Sequence, residues 1–224
     1  VGGKPAAVVN RLAGSSQLDP SPSHCHAMGA SLAQMHLAAR SYEHQQPNLR
    51  GLAWWNQTVP TILPFLSGAQ ATTLQHELAF QNHVQSSFAY AALPKGAVHG
   101  DAFRNNVMFV DNQLSGIFDF YFAGVDSWLF DLGVCMNDWC VDLASRSFHP
   151  EHLTAMLQGY EEVRPLSGAE RALCNPMLRA AALRFWISRL WDFHLPREAS
   201  LLQAHDPGHF ERVLLARLHN PVTL

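Results

Sequence analysis

Three side chains with metal-binding oxygens flank the strand-like segments of the stretch VHGDAFRNNVMFVDNQLSGIFDF, at residues 98–120. They are Asp101, Asn106 and Asp119. Burying a carboxylate or an amide without a partner is costly, so we expect these groups to face a common ligand. Mg²⁺ takes one or two protein oxygens and completes its octahedron with waters and phosphate oxygens. An amide and a carboxylate meet that requirement, and we predict that Asn106 and Asp119 bind Mg²⁺.

Asp101 and Arg104 remain for chemistry at a metal-bound phosphate. A carboxylate at this position can accept the proton of an incoming hydroxyl, and Arg104 can neutralise charge by facing the transferring phosphoryl group. The catalytic loops of protein kinases have the same Asp-four-residues-Asn spacing, and a later Asp-Phe-Gly aspartate binds magnesium. Each residue alone has a structural alternative as a helix cap, a turn residue or a strand end. Their joint order favours the functional interpretation.

A β-hairpin is the element that must position these residues. Residues 107–110 and 114–118 have the composition of two strands, and Asp111-Asn112-Gln113 between them predicts the turn. A hairpin brings its two ends together. Asn106 precedes the first strand and Asp119 follows the second, so we expect the two to be neighbours.

Helical patterns dominate the rest of the chain. Ser21 is a predicted N-cap with Pro22 at the first helical position, and this helix runs to about Arg40. Ser67 is a second predicted cap, for a helix that ends before Pro94. The remaining predictions are a strand at 6–12, a helical segment around Trp54 and Trp55, a short strand near Val98, and helices near 127–145, 151–163, 168–194 and 208–219.

Composition limits the class of protein. Hydrophobic residues make up 48% and charged residues 15% of 224 residues, which is typical of a globular chain. A formal charge of −3 gives no electrostatic signature for nucleic acid, and no apolar run is long enough for a membrane helix. The four cysteines form no CxxC pair, which favours reduced thiols and a cytoplasmic protein. His24-Cys25-His26 is predicted as a helix-start surface cluster, not a metal site.

The catalytic segment resembles a known family. HGDAFRNNVMF (99–109) with GIFDFYFAG (116–124) is similar to the signature of aminoglycoside-phosphotransferase-like small-molecule kinases. Three longer segments resemble more closely the bacterial branch of that superfamily that phosphorylates homoserine. These segments are FDFYFAGVDSWLFDLGVCMNDWC (118–140), ALRFWISRLWDFHLPR (182–197) and DPGHFERVL (206–214).

The resemblance implies an α+β, mostly helical fold. This is the C-terminal lobe of a protein-kinase-like enzyme, with a small catalytic β-hairpin and only the last strands of the N-terminal lobe. Residues 1–14 would be the remnant of that lobe and its hinge strand, and residues 15–224 the helical lobe, with the catalytic loop at 98–120. Asn10, Arg11 and Leu12 would meet the adenine of ATP.

The resemblance also implies roles at the catalytic loop. Asp101 would be the catalytic base, with Asn106 and Asp119 as magnesium ligands. His99 and Asp131 would hold the loop in place. The implied cofactors are ATP and Mg²⁺, and the implied reaction is phosphoryl transfer to the hydroxyl of homoserine, a step of threonine biosynthesis.

The acceptor is expected near Asp101, against the helical part of the chain. Homoserine carries an ammonium and a carboxylate, for which Asp138 and Arg184 are candidate partners, with Tyr121 and Trp139 as walls. A kinase for another small hydroxyl compound, such as an aminoglycoside, choline or a sugar, is the alternative within enzymes. A catalytically incompetent kinase-like lobe that acts as a binding module is the alternative outside them.

The sequence departs from the family pattern in three ways. Ala102 stands where a leucine is general, and Asn105 where an acidic residue is usual. The phosphate-covering loop and strand lysine of the N-terminal lobe have no counterpart, because Lys4 lies in a turn. We therefore expect the 224-residue chain alone to bind ATP weakly and to turn over slowly.

Overall fold

Helices form most of the molecule, and four short strands form two small sheets. The computed structural model describes residues 8–43, 46–196 and 205–224. Its helices are α1 (Pro22–Ala38), α2 (Leu52–Ile62), α3 (Gly68–Gln85), α4 (Phe88–Ala91), α5 (Trp128–Trp139), α6 (Pro150–Val163), α7 (Gly168–Ala172), α8 (Cys174–His194) and α9 (Gly208–His219). Its strands are β1 (Lys95–Val98), β2 (Val107–Val110), β3 (Gln113–Ile117) and β4 (Gly124–Ser127). The predicted α+β, mostly helical class is confirmed.

Helix α1 begins as its sequence indicates. The Ser21 side chain accepts the backbone N–H of His24, the His24 ring accepts the backbone N–H of Ser21, and Pro22 occupies the first turn. Reciprocal bonds of this kind satisfy two of the N–H groups that a helix start leaves open. His24 therefore serves the cap, and its neighbour Cys25 is fully buried in the core.

Helices α1 and α6 pack at very short range because glycines remove side chains from their contact. A Cβ added to Gly29 would lie 2.1 Å from the carbonyl oxygen of Met156, and one added to Gly159 would lie 2.1 Å from that of His26. Real Cβ atoms do not come this close, so only glycine fits at either position. The close approach brings polar side chains of the two helices within hydrogen-bonding distance.

Helix α5 runs through the centre of the core. Nearly all of its residues are buried, including the polar Asp131 and Asn137. Asn137 donates from Nδ2 to the carbonyl oxygen of Leu178 on α8 at 2.8 Å and accepts from Nε of Arg217 at 3.1 Å. Buried polar groups must be paired in this way, and these bonds join α5 to α8 and α9.

The predicted hairpin is present as β2 and β3. Val107 pairs with Ile117 and Val110 with Gln113, so the turn is the two-residue Asp111-Asn112. Asp111 has a φ of 53°, the left-handed conformation that tight hairpin turns require. The prediction had included Gln113 in the turn.

Strand β4 was not predicted, and it changes the architecture. It pairs antiparallel with β1, from Lys95 opposite Ser127 to Val98 opposite Gly124. The sequence had indicated a single hairpin in a helical body, and the structure instead has two separate two-stranded sheets. GVDS has no alternation that would mark a strand. Its partner lies about thirty residues upstream, where only the folded chain brings it.

The predicted strand at residues 6–12 is wrong for the part that the structure describes. Residues 8–12 form no strand and are mostly exposed, while residues 6 and 7 lie outside the described ranges. The nearest strand-like pairing is an isolated bridge in which Ser15 and Phe109 exchange backbone hydrogen bonds of 2.9 Å in both directions. A strand needs a partner ladder, which residues 8–12 do not have within the described ranges.

Three helices end earlier than the apolar spacing indicated. Helix α3 stops at Gln85, because Ser87 caps the separate short helix α4 by accepting the N–H of Tyr90. The predicted helix at 168–194 divides at Leu173 into α7 and α8, and the one at 127–145 ends at Trp139. Apolar periodicity continues through such breaks, since a buried turn needs apolar residues as much as a helix does.

Two further features concern the surroundings of the protein. No helix in the described ranges combines the length and apolar character needed to cross a bilayer. Cys25, Cys135, Cys140 and Cys174 are all buried and free, as the reduced state requires.

Candidate active site

The catalytic loop rests on the buried carboxylate of Asp131. Asp131 lies in the first turn of α5, and it accepts the N–H of His99 at 2.9 Å and that of Gly100 at 2.8 Å. Gly100 has a φ of 72°, which favours glycine. Burial raises the pKa of Asp131, but the hydrogen bond from Nε2 of His36 and those from the two backbone N–H groups together lower it by more. The net pKa is below the ordinary value, so this carboxylate is ionised.

His99 ties the loop to the hairpin. The backbone N–H of Asp101 donates to Nδ1 of His99 at 3.2 Å, so that ring nitrogen carries no proton. Nε2 then carries the proton and donates to the carbonyl oxygen of Phe118 at 3.0 Å. The backbone of the predicted base Asp101 and that of Phe118, the residue before Asp119, are thereby fixed to one buried ring.

Asn106 and Asp119 lie next to each other at the open end of the hairpin. The backbone N–H of Phe118 donates to the carbonyl oxygen of Asn106 at 3.0 Å, which brings the following Asp119 beside it. The Asn106 amide donates from Nδ2 to the carbonyl oxygen of Asp101 at 2.9 Å, so its Oδ1 is the atom left to accept or coordinate. Within the described ranges, no hydrogen bond reaches the Asp119 carboxylate.

The backbone at Asp119 supports a ligand role. It has a φ of 65° and a ψ of 57°, a left-handed conformation that costs energy outside glycine and is frequent at functional sites. An exposed carboxylate and a fixed amide oxygen are the donor set that fits Mg²⁺ with phosphate oxygens. A Mg²⁺ ion held here would neutralise charge on a bound polyphosphate.

Asp101 has a carboxylate that lacks hydrogen-bond donors among the described residues. Its nearest opposite charge is Nη1 of Arg184, 3.8 Å from Oδ1. Burial raises the pKa of Asp101 to about 6, Arg184 opposes this rise, and Asp119 and Asp138 add to it. A carboxylate of this kind is ionised at neutral pH yet more basic than an ordinary aspartate, which suits a proton acceptor.

Arg104 and Asp138 are bound to each other. The backbone N–H and Nε of Arg104 donate to Oδ2 of Asp138 at 2.8 and 3.2 Å, and Nη2 donates to the Asp138 carbonyl oxygen. Nη1 donates to the carbonyl oxygen of Leu18 at 2.8 Å. This pairing connects the catalytic loop to α5. It competes with the predicted role of Arg104 at the phosphoryl group and with that of Asp138 at the substrate ammonium. Those roles stay predictions.

Arg184 lies beside the predicted base. It projects from α8, is 3% exposed, and places its guanidinium carbon 4.7 Å from the ring centre of Phe122. Within the described ranges its Nη2 is buried without a hydrogen-bond partner. Burial lowers the pKa of Arg184 to about 10, which Asp101 opposes and Arg50 reinforces. The group is still a cation at neutral pH, and its predicted contact with a substrate carboxylate stays a prediction.

The two aromatic residues predicted as walls occupy different environments. Tyr121 is exposed and, with Arg50 and Phe122, lines a cavity of about 300 Å³. Trp139 is 1% exposed and donates from Nε1 to the carbonyl oxygen of Ala102 at 2.9 Å, so it supports the loop from the core. A larger cavity of about 560 Å³ involves the end of α1 with β1 and β4, away from the Asp101 carboxylate.

Residues 10–12 lie against the hairpin. Asn10 and Arg11 are exposed, and Leu12 packs so closely that a Cβ on Gly116 would lie 2.6 Å from its side chain. These residues form no strand in the structure, so the hinge strand implied by the resemblance is absent from residues 8–12. Their contact with adenine stays a prediction.

His36 is a site residue that the sequence analysis missed. It lies on α1 and contacts Oδ2 of Asp131 through Nε2 at 3.0 Å. Asp131 is 95 residues away in the chain, so no local motif joins the two. The one available signal was a histidine on the apolar face of a predicted helix, which is usually a satisfied core residue.

The fold and the site together define a phosphotransferase of the kinase type. A sequence profile of the family described as the phosphotransferase enzyme family (APH) matches residues 1–166. The chain belongs to this family, as the resemblance implied.

Within the family, the chain is similar to homoserine kinases. It is 57% identical over 222 residues to the homoserine kinase of Polaromonas naphthalenivorans (strain CJ2), covering 99% of this chain and 70% of that relative. It is 55% identical over 216 residues to that of Janthinobacterium sp. (strain Marseille), covering 96% and 67%. It is 54% identical over 227 residues to the homoserine kinase of Cupriavidus metallidurans, covering 99% of this chain and 69% of that relative. The chain thus spans about two thirds of these relatives.

Solved structures show the same fold at low sequence identity. An amicoumacin kinase in complex with AMP-PNP, Ca²⁺ and Ami has a TM-score of 0.65 at 15% identity, over 92% of this chain and 61% of that one. A choline/ethanolamine kinase family protein from Mesorhizobium loti has a TM-score of 0.63 at 18% identity, over 91% and 67%. At these identities the likeness concerns the fold alone.

Proposed function

We propose that this protein transfers the γ-phosphoryl group of ATP to the hydroxyl of homoserine in a Mg²⁺-dependent reaction. The observation that supports the proposal is that backbone hydrogen bonding brings Asp119 beside Asn106 at the open end of the hairpin, while the Asn106 amide is hydrogen-bonded to the backbone of Asp101. The names of the relatives, at 54–57% identity, support homoserine as the acceptor. The reaction would be a step of threonine biosynthesis.

The residues of the loop divide the chemistry between them. Asn106 Oδ1 and the Asp119 carboxylate would hold Mg²⁺, which binds the phosphates and offsets their charge. The Asp101 carboxylate would accept the hydroxyl proton as the acceptor oxygen forms its bond to the γ-phosphorus and the bond to ADP breaks. His99 and Asp131 hold the backbone around Asp101, so the base is already in place when the acceptor binds.

The charges beside Asp101 favour an acceptor with a carboxylate. Arg184 lies at the base, and Arg50 lies near the same Phe122 ring, 5.8 Å from its centre. Two guanidinium groups repel a polycationic aminoglycoside or a quaternary ammonium and attract the carboxylate of homoserine. We therefore favour homoserine over the other small hydroxyl compounds.

Two aspartates of the same hairpin provide a matched test. Asp119 and Asp111 both have positive φ angles, 65° and 53°, and both are exposed. Asp119→Asn should reduce ATP-dependent phosphorylation of homoserine by about a thousandfold and weaken Mg²⁺-dependent nucleotide binding, because one metal ligand loses its charge. Asp111→Asn should leave both unchanged. Equal activity of the two variants would exclude Asp119 as a metal ligand.

The compartment proposed is the cytoplasm. The four buried cysteines are free, which suits a reducing environment, and ATP is the proposed phosphoryl donor.

A further inference from the structure

A chain of buried polar side chains leads away from the catalytic loop. Beyond Asp131, the ring of His36 contacts the Tyr160 hydroxyl through Nδ1 at 2.8 Å. Arg164 donates from Nε to the same hydroxyl at 3.0 Å. Arg164 also donates from both Nη atoms to the carboxylate of Glu170. We call His36, Tyr160, Arg164 and Glu170 the relay.

The relay is largely closed to water, and Arg164, at 9% exposed, is its most exposed member. His36 is 1% exposed, and Tyr160 and Glu170 are fully buried. Trp128 stacks on the His36 ring, with centroids 5.5 Å apart and planes 5° from parallel. The Arg164 guanidinium lies 5.1 Å from the centre of the same Trp128 ring. In such an environment each polar atom needs a hydrogen-bond partner from the protein. Removing one side chain therefore leaves the polar atom of its partner buried without a hydrogen bond, which costs free energy.

The hydrogen bonds of the relay have one consistent direction. Arg164 has only donors, so the Tyr160 oxygen accepts from it and the Tyr160 hydroxyl proton is free to donate to Nδ1 of His36. Nε2 of His36 then carries the ring proton and donates to Asp131. The relay therefore ends on the carboxylate that holds the backbone N–H groups of His99 and Gly100.

The charges of the end groups agree with this direction. Burial raises the pKa of Glu170, but the hydrogen bonds from Arg164 and from the Ser167 backbone N–H lower it by more. The net pKa of Glu170 is therefore below its ordinary value. Burial lowers the pKa of Arg164, and Glu170 and Tyr160 raise it to a higher net value. Burial also raises the pKa of Tyr160, which keeps its hydroxyl proton in place for donation.

Three helices contribute the four residues of the relay, and none of these helices carries the predicted base. His36 is on α1, Tyr160 on α6 and Glu170 on α7, while Arg164 follows the end of α6. The glycine contacts between α1 and α6 hold the first two in register. A shift of any of these helices would pass to Asp131, and from Asp131 to the catalytic backbone.

We propose that His36 and Tyr160 are positioning residues for phosphoryl transfer, which keep the Asp131 carboxylate in the orientation that holds His99 and Gly100. The proposal rests on the proposed function of the loop. Neither residue touches the reacting groups, so their loss should lower kcat and leave the binding of ATP and acceptor nearly unchanged. A displacement of catalytic groups by about 1 Å is enough for losses on the order of a hundredfold.

Two tyrosine variants separate positioning from stability. Tyr160→Phe removes the hydroxyl that donates to His36. Tyr90→Phe removes the hydroxyl of another buried tyrosine, which donates to Asp126 at 3.4 Å on β4. We expect Tyr160→Phe to lower kcat roughly tenfold with both KM values within about twofold, and Tyr90→Phe to leave kcat unchanged. Equal losses of kcat in the two variants would overturn the proposal.

A rescue at His36 provides a second test. The side-chain amide of Gln can present an N–H where Nε2 of His36 lies, whereas Met has similar bulk and no donor. We expect His36→Met to lower kcat by about fiftyfold and His36→Gln to recover most of that loss. If His36→Gln is no better than His36→Met, the donation to Asp131 does not position the loop.

A measurement that does not need turnover keeps this proposal separate from the proposed function. Amide hydrogen exchange at His99 and Gly100 should accelerate about tenfold in Tyr160→Phe and remain unchanged in Tyr90→Phe. If the protein does not phosphorylate homoserine but the exchange result holds, the acceptor is wrong and the relay stands. If homoserine is phosphorylated and exchange is unchanged in Tyr160→Phe, the relay is wrong and the function stands.

Discussion

Asp101 and Asp131 are the same residue type, thirty positions apart and connected through one loop, yet their surroundings are opposite. Asp131 is fully buried with three donors on its carboxylate, and its pKa is lowered. Asp101 is largely buried without a donor among the described residues, and its pKa is raised to about 6. Burial alone therefore does not decide the state of a carboxylate, because the donors around it do.

The contrast distinguishes a carboxylate that supports the loop, Asp131, from one that is proposed to react, Asp101. The side of the loop at Asp131 has its polar atoms paired, and it gains rigidity. The side at Asp101 and Asp119 leaves oxygens unpaired, and it keeps them available for a proton and a cation. A site that leaves groups unsatisfied in this way must be stabilised by its surroundings.

The largest expected effect comes from removing the base. Asp101→Asn keeps the shape of the side chain and abolishes its ability to accept a proton. We expect kcat for homoserine to fall about a thousandfold, equivalent to about 4 kcal/mol. Thermal unfolding should show equal or greater stability, because a buried carboxylate without donors is removed. Activity within tenfold of the parent would show that another group is the base.

The supporting aspartate should respond in the opposite sense. Asp131→Asn replaces an acceptor oxygen with an amine that faces the N–H donors of His99, Gly100 or His36. We expect a loss of about 3 kcal/mol in the free energy of unfolding, measured by urea denaturation. A stable Asp131→Asn variant would mean that Asp101 and Asp131 do not differ as described.

The far end of the relay gives a pH-dependent effect. The pKa of Glu170 is lowered because its ionised form is bonded to Arg164, so its stabilisation is present above the ordinary glutamate pKa and is lost as pH falls through the lowered value. Glu170→Gln should cost about 2 kcal/mol at pH 7. The difference from the parent should shrink below about pH 4. Urea denaturation across pH 3–7 measures both, and a constant difference would contradict the pairing.

The raised pKa of Asp101 predicts an acid limb in the activity profile. Protonated Asp101 cannot accept a proton, so kcat/KM should fall about tenfold per pH unit, or about 1.4 kcal/mol, below pH 6. Bound Mg²⁺ favours the ionised form and moves this limb to lower pH. A profile that stays flat to pH 4.5 would assign the proton to another acceptor.

The smallest expected effect concerns the hairpin turn. Asp111 has a φ of 53° in a two-residue turn, a conformation that glycine adopts at lower cost. Asp111→Gly should change stability by less than about 1 kcal/mol and should not change kcat. Thermal unfolding and an activity assay test this, and a tenfold change in kcat would show that the turn acts on the distant end of the hairpin.

Local patterns predicted elements whose causes are local. Ser21 and Pro22 marked the start of α1, because capping involves residues within one turn. The alternating segments marked β2 and β3, because a two-residue turn joins them. The same reasoning missed β4, and it extended helices through Ser87 and Leu173, where tertiary contacts and competing caps decided the boundary.

The candidate site shows the same division. Asp101, Asn106 and Asp119 could be proposed from the sequence, because the chemistry of metal and phosphate requires these residue types at this spacing. Arg104 was assigned to the phosphoryl group on its position alone, whereas the structure pairs it with Asp138 on α5. His36 had no signal, since its partner Asp131 is reached only when α1 packs beside α5.

The order of amino acids by itself determined which oxygens this protein offers and that a hairpin carries them, because both depend on neighbours in the chain. Tertiary structure alone decided which of the two aspartates is satisfied by donors and which is left without them. The donors to Asp131 come from helix α1 and from the loop that follows β1, both distant in sequence, and only packing brings them within about 3 Å.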